Sequence, residues 1–219
     1  MIRLLCLALG YLFGAFQTAY FYGKMHGIDI RTKGSGNAGT TNTLRVLGTK
    51  AGLIVLAGDV LKTILAIAVA RFFIIPNFAS ADTEYLYVLY TAAGAILGHN
   101  FPFYMNFKGG KGIASTFGLI LSFHPWFIPV GLVMFLGAFL TTHYVSLGSL
   151  LIYAGFVIQM VIMGQGGYLG DMSQATLNEM YIIAFLLAAM AYWKHRENIK
   201  RLLTGTERKT YLFKKNKSE

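Results

Sequence analysis

The segment Lys33-Gly34-Ser35-Gly36-Asn37-Ala38-Gly39-Thr40-Thr41-Asn42 sets three glycines among small hydroxyl and amide side chains, and Arg45 lies about one helical turn beyond Asn42. This mixture suits an anion. Glycines let a backbone approach a ligand closely, and successive N–H groups can form a concave nest. Ser35, Asn37, Thr40, Thr41 and Asn42 add neutral donors, and Arg45 can make a bidentate phosphate contact. A helix opening near Thr41 would aim its positive end at the same ligand. The plainer alternative is a flexible loop with a helix cap. A second segment, Gly98-His99-Asn100-Phe101-Pro102 continuing to Phe107-Lys108-Gly109-Gly110-Lys111-Gly112, has the same chemistry, its part from Phe107 to Gly112 placing two lysines among three glycines. It is not a P-loop, because Gly112 rather than Ser or Thr follows Lys111 and the upstream spacing is missing. In a third segment, His195-Arg196-Glu197-Asn198-Ile199-Lys200-Arg201, His195 and Asn198 share a helix face with Arg201 one step further. The alternative there is a basic surface helix meeting lipid headgroups.

These segments punctuate a chain that is otherwise apolar. Of 219 residues 55% are hydrophobic, with mean hydropathy +0.55 and net charge +10. Runs near 20 residues with few charges indicate transmembrane helices rather than soluble domains. The expected fold is an all-α integral membrane protein of about seven transmembrane helices, with spans near 3–22, 52–75, 85–103, 113–122, 126–141, 144–163 and 177–193. The fourth is short for a full crossing, since His124, Pro125 and Trp126 interrupt the stretch and a helix can restart at proline. The first run has only Arg3 before it and no small-x-small cleavage pattern after it, so it reads as a retained span. Most of the 19 basic residues fall in 23–50, 98–112 and 194–219, whereas 76–84 and 164–176 carry only Asp82, Glu84 and Asp171. The positive-inside rule then puts the N-terminus outside and the C-terminus in the cytoplasm. The chain reads as one polytopic domain, 1–219, with cytoplasmic segments 33–45, 98–112 and 194–207. A basic tail, 208–219, is expected to be surface helix or disorder. Basic residues bordering apolar spans argue against nucleic-acid binding.

Polar groups inside spans need a reason. Asp59 and Lys62, at i and i+3, can pair with each other. Ser146 and Ser149 sit beside Tyr144 at the start of the sixth span, as packing residues or as substrate contacts. His99 reads as a helix-terminal hydrogen-bonding residue or as a part of the second segment, and His124 and His143 have no evident partner. Cys6 is alone, which excludes a disulfide framework. None of the five histidines has an aspartate five residues on, so the common acyltransferase dyad is missing. No carboxylate or histidine cluster suggests a metal, and no cofactor is expected. An enzyme built this way would work by positioning and electrostatics.

Taken together, the motifs resemble those of the PlsY-type bacterial glycerol-3-phosphate acyltransferases. Ser35-Gly36-Asn37 through Asn42 is similar to the family's first motif. Gly98 to Pro102 with Phe107 to Gly112 is similar to the second, and His195 to Leu202 with Gly205 and Glu207 to the third. The resemblance spans almost the whole chain. It implies an enzyme of the bacterial inner membrane, its active site facing the cytoplasm, that moves an acyl group from acyl phosphate to the 1-hydroxyl of sn-glycerol 3-phosphate. The products are lysophosphatidic acid and phosphate, the first step of phospholipid synthesis. The seven-helix, N-out architecture it implies agrees with the charge count. It also implies substrate-assisted chemistry without a protein nucleophile, in a chain expected to act as a monomer among membrane lipids.

On that reading Arg45 and one of Lys108 or Lys111, preferably Lys111, hold the glycerol phosphate. Ser35, His195 and Asn198 complete the pocket. Backbone from Gly36, Asn37, Gly109, Gly110 and Gly112 approaches the phosphates, and Thr41, Asn42 and Ser146 are candidates for the acyl phosphate or the glycerol backbone. His195 is either a general base or a phosphate ligand. The leading groups for catalysis are His195, Asn198, Lys111 and Ser35. The rival class is a transporter or binding protein for a phosphorylated metabolite, favoured by buried Asp59 and Lys62 but opposed by motifs that all fall on one side. A membrane phosphatidyl or isoprenyl transferase would need Mg²⁺-holding carboxylates that these loops lack.

Overall fold

The computed structural model describes residues 1–80 and 82–211; the tail lysines Lys214, Lys215 and Lys217 lie outside the described residues. Among the described residues every regular element is a helix. Four helical runs are long and apolar enough to cross a membrane: Ile2–Met25, Thr49–Phe78, Val145–Gln165 and Gln174–Lys194. The first run comprises α1 (Ile2–Ala15) and α2 (Thr18–Met25), and α3 (Thr40–Leu47) follows after a loop. The second comprises α4 (Thr49–Val69), a π-turn at Ala70–Ile74, and α5 (Ile75–Phe78). The π-turn precedes Pro76, whose ring and missing N–H disturb the preceding helical turn. Then come α6 (Glu84–Asn100), α7 (Ile113–Phe123), α8 (Phe127–Thr142), α9 (Val145–Gln165), α10 (Gln174–Lys194) and the short α11 (Arg196–Leu203).

Helix α6 is the hub. Thirteen of its 17 residues are buried, so no single apolar stripe marks it. Its partner α1 lies against it through two glycine pairs, Gly10 and Gly14 on α1 and Gly94 and Gly98 on α6. A Cβ at Gly10 would overlap the Thr91 carbonyl, one at Gly14 the Ala95 carbonyl, one at Gly94 the Leu7 carbonyl and one at Gly98 the Tyr11 carbonyl. Each helix thus presents a small-xxx-small stripe, which lets two backbones approach within a membrane where dispersion replaces the hydrophobic drive. Around them Phe123, Phe127 and Phe156 pack at ring separations of 5.1–6.2 Å. Large apolar side chains such as Phe72, Val133 and Phe185 face outward, as a lipid-facing wall requires.

Two boundaries differ from the sequence expectation. The first span is not one helix, because Phe16 and Gln17 are extended. The break persists because its polar groups are answered from other helices. Lys62 Nζ donates to Phe16 O at 2.7 Å, and Gln17 Nε2 donates to His99 O at 2.9 Å. The third span ends at Asn100 rather than 103, since Pro102 cannot extend it. The fourth, Ile113–Phe123, is as short as expected and starts from Gly112 in the left-handed region (φ +83°). The expected surface helix or disorder over 208–219 falls mostly outside the described residues, but its first part is packed. Residues 206–211 are non-helical, and Thr210 is buried, its N–H donating to His143 O at 2.9 Å. The Tyr211 ring lies 4.8 Å from that of His143.

Candidate active site

All three glycine- and charge-rich segments meet at one end of the bundle, around a cavity of about 1160 Å³. Its polar end is lined by Ser35, Gly36, Asn37, Thr41, Asn42, Arg45, Lys108, Gly109, Lys111, Gly112, Ser146, His195 and Asn198. Its other end runs between α4, α7 and α8 along Leu56, Val60, Phe117, Leu132, Phe135 and Phe139. One cavity therefore offers a cationic head and an apolar groove.

A chain of hydrogen bonds organises the head. Lys111 Nζ donates to Asn198 Oδ1, Asn198 Nδ2 donates to Glu207 Oε1 at 2.8 Å, and Arg201 Nε donates to Glu207 Oε2 at 2.9 Å. Helix α11 supplies Asn198 and Arg201 from neighbouring turns, and the strand of chain after it returns Glu207 beneath them. Across the cavity α3 supplies Arg45, whose guanidinium donates to Thr210 Oγ1 at 2.7 Å and to Arg208 O at 3.3 Å. Cations thus outnumber carboxylates in this network, where Glu207, whose side chain is 4% exposed, is the acid that joins Asn198 to Arg201. Burial, opposed by Glu207 and reinforced by Arg201, Lys194 and Arg45, pulls the Lys111 ammonium down to about 8. Burial, with help from Arg208, also lowers Arg45 below the usual arginine range. A bound dianion would relieve both.

His195 follows the last residue of α10 and is 3% exposed. Its Nδ1 lies 2.8 Å from Ala191 O. A carbonyl only accepts, so Nδ1 carries the proton and Nε2 keeps its lone pair. Burial, then Lys111 and Lys194, push its pKa down to about 4. The ring is therefore a neutral acceptor at neutral pH, suited to a substrate hydroxyl and unsuited to donating to phosphate.

The glycine loops are built differently from the nests expected of them. Asn42 is a brace: its Oδ1 accepts from Ser35 N at 2.8 Å, while its Nδ2 donates to Ile30 O at 3.1 Å and Lys33 O at 3.0 Å. The N–H groups of Gly36 and Gly39 bond to Lys33 O and Asn37 O within the loop. In the second segment Gly109 N and Gly110 N donate to Asn100 O and His99 O. Gly110 does not line the cavity and sits against the His99 ring, where a Cβ would overlap Nε2. These glycines serve close packing, so side chains and the N-terminal end of α3 present the cavity's donors. Asn106 and Phe107, ahead of Lys108, are both left-handed (φ 53° and 57°), a strained approach to the lysine loop.

Ser146 is buried and its hydroxyl, without a protein partner, faces a cavity it helps to line. Asp59 and Lys62 pair at 2.9 Å, as expected. His143 serves through its carbonyl and ring as the anchor of the 206–211 strap. The sequence gives no sign of Thr210; it places Glu207 in the third motif without a task, and the expected groove for an acyl chain between helices without its lining residues. For Glu207 the signal available was its place in the third motif, four residues after the last turn of the helix that carries Asn198 and Arg201.

The glycerol-3-phosphate acyltransferase family model matches residues 4–205, from α1 to the end of α11. The chain belongs to this family. Among curated glycerol-3-phosphate acyltransferases, it is 38% identical over 206 residues to that of Clostridioides difficile, with 92% of each chain covered. It is 37% identical to that of Bacillus cytotoxicus, with 99% of each covered. Among solved structures it is similar to PlsY, an integral membrane glycerol 3-phosphate acyltransferase, crystallised in a glycerol 3-phosphate form. That match has a TM-score of 0.79 at 31% identity and covers 97% of this chain and 99% of the other. A lysophosphatidic acid form matches with a TM-score of 0.76 at 30% identity, covering 96% of each chain. The acyltransferase family thus accounts for the whole bundle, including the short α7.

Proposed function

We propose that this acyltransferase moves the acyl group of acyl phosphate to the 1-hydroxyl of sn-glycerol 3-phosphate, releasing lysophosphatidic acid and phosphate. The observation that carries the reading is the joining of a cationic head to an apolar groove in one cavity. The head fits the phosphates of both substrates, and the groove fits an acyl chain entering from the lipid side.

In the proposed mechanism Arg45 and Lys111 hold the glycerol phosphate, with Lys108 nearer the rim and Ser146 deeper in the pocket. His195 Nε2 accepts a hydrogen bond from the 1-hydroxyl and orients it. The hydroxyl oxygen attacks the acyl carbonyl carbon, and the carbon–oxygen bond to phosphate breaks. The departing phosphate carries away the hydroxyl proton, so no protein nucleophile is needed. Lys111, held by Asn198 and Glu207, and Ser35 stabilise the charge that develops on the carbonyl oxygen. Thr41 and the positive end of α3 lie toward the acyl phosphate.

The topology we infer is seven crossings with the N-terminus outside. Helix α7 has 11 residues, about 16 Å at 1.5 Å per residue, and crosses only a thinned part of the bundle as a hairpin with α8. This parity puts residues 29–45, 108–113, 145–149 and 194–210, which share one cavity, on the cytoplasmic face of a bacterial inner membrane. The cavity is complete within one chain, in keeping with a monomer. A transporter reading would need determinants reachable from both faces. Binding of sn-glycerol 3-phosphate to the purified protein, read by calorimetry, tests the pocket. Binding that survives unchanged in Arg45→Ala would refute this assignment.

A further inference from the structure

Below the phosphate head lies a second polar cluster that the proposed reaction does not use. Lys62 Nζ has three acceptors, matching its three protons: Phe16 O at 2.7 Å, Asp59 Oδ1 at 2.9 Å and His99 Nδ1 at 2.9 Å. Thr18 Oγ1 adds a 3.0 Å donation to the same Asp59 oxygen. Lys62, Asp59 and His99 are 5%, 1% and 2% exposed. A lysine paired this closely with a buried carboxylate is an ammonium, and an ammonium only donates. His99 Nδ1 is therefore an acceptor, and the ring proton sits on Nε2. This is the opposite tautomer to that of His195.

His99 lines the cavity beside Gly109 and Lys111, and its Nε2 lies against Gly110. The ring is fixed from both sides. Its backbone carbonyl accepts from Gly110 N at 3.0 Å and from Gln17 Nε2 at 2.9 Å. Among the described residues no side chain takes the Nε2 proton.

We propose that His99 Nε2–H donates to a phosphate oxygen of the bound substrate, and that Lys62 and Asp59 are positioning residues that hold His99 in the donating tautomer. The two histidines would then divide the work, His195 accepting from a hydroxyl and His99 donating to an anion. The proposal rests on the reading that the cavity takes phosphorylated substrates. A phosphate oxygen there can belong to glycerol 3-phosphate or to acyl phosphate.

The test uses the full chain in lipid nanodiscs with nitrogen-15-labelled histidine. The expected spectrum has an unprotonated Nδ1 and a protonated Nε2 for His99, and inorganic phosphate shifts the Nε2 signal. A protonated Nδ1, or an Nε2 unmoved by saturating phosphate, would overturn the proposal. This readout does not depend on any variant folding or on acyl transfer. If phosphate shifts Nε2 but the enzyme transfers no acyl group, the functional reading fails while the phosphate contact stands. Kinetics on two variants separate ligand contact from scaffolding. His99→Asn keeps an acceptor for Lys62 but loses the distal donor, whereas His99→Gln carries an amide N–H near the Nε2 position. His99→Asn is expected to raise one KM by roughly 10- to 100-fold, the cost of a hydrogen bond to a charged group, with His99→Gln closer to wild type. The substrate whose KM moves identifies the phosphate. If His99→Asn matches wild type while His99→Gln fails, the residue is only scaffold.

Discussion

Lys111 gives the account its sharpest quantitative exposure. Burial holds its ammonium at about 8 instead of the ordinary 10.5, because the pull of Glu207 does not offset desolvation and the neighbouring Arg201, Lys194 and Arg45. A lysine lowered in this way is charged below that value and neutral above it. At pH 7 about nine-tenths of the free enzyme carries the charge, and at pH 9 about one-tenth does. If the ammonium holds the glycerol phosphate, kcat/KM for sn-glycerol 3-phosphate should fall about tenfold between those pH values and continue tenfold per unit. The substrate phosphate titrates at about pH 6 and is a dianion through the alkaline range, so the alkaline limb belongs to the protein. A bound dianion favours the ammonium, so kcat should hold to higher pH than kcat/KM. Initial rates over a series of glycerol phosphate concentrations, from about pH 6 to about pH 10, supply both curves after subtraction of spontaneous acyl phosphate hydrolysis. Lys111→Arg stays charged throughout and should flatten the limb, even at lower absolute activity. A kcat/KM flat to about pH 10 in the wild type, or the same limb in Lys111→Arg, would refute the reasoning.

Three further outcomes follow from the same geometry. Arg45→Ala removes a charged ligand and releases Thr210, and should lower kcat/KM for glycerol phosphate roughly 100-fold, mainly through KM; near-wild-type kinetics would remove Arg45 from the pocket. Lys62→Met strands buried Asp59 and should destabilise the protein by ~3–5 kcal/mol in reversible denaturant unfolding. The added Asp59→Asn change should recover much of this, and strictly additive losses would deny the pair its coupling. Gly94→Leu forces α1 off α6 at the Leu7 carbonyl and should cost ~1–3 kcal/mol or more, read as a lower melting temperature in detergent; an unchanged melt would show that the close approach is dispensable.

Much of this design is local enough to be legible in the sequence. Glycine, lysine and arginine spacing drew attention to the segments that line the cavity, because polar residues are costly in a membrane and stand out there. The helix opens at Thr40, one residue from its expected place, directly after the extended Gly39, and Pro125 and Gly112 bound the short α7 locally. What was hidden is non-local. The break at Phe16 and Gln17 depends on Lys62 and His99, which are 46 and 82 residues away from them. The Gly10–Gly14 and Gly94–Gly98 stripes have helical spacing, but nothing in the sequence pairs one with the other. The glycine loops looked like anion nests because glycine serves a ligand and a close neighbour equally well. Only the neighbours, Asn42 and His99, decide that here it serves packing. Thr210 and His143 have no motif at all, since they meet only where the chain folds back over Arg45.

The most direct test of the central claim is acyl transfer by the purified full-length protein, with labelled sn-glycerol 3-phosphate and palmitoyl phosphate, palmitoyl-CoA or palmitoyl-acyl carrier protein as donors. The account predicts labelled lysophosphatidic acid from palmitoyl phosphate alone, undiminished by EDTA. Product from a thioester donor, or loss of activity with EDTA, would contradict the mechanism. No product from any donor, combined with glycerol 3-phosphate uptake into proteoliposomes, would contradict the function itself.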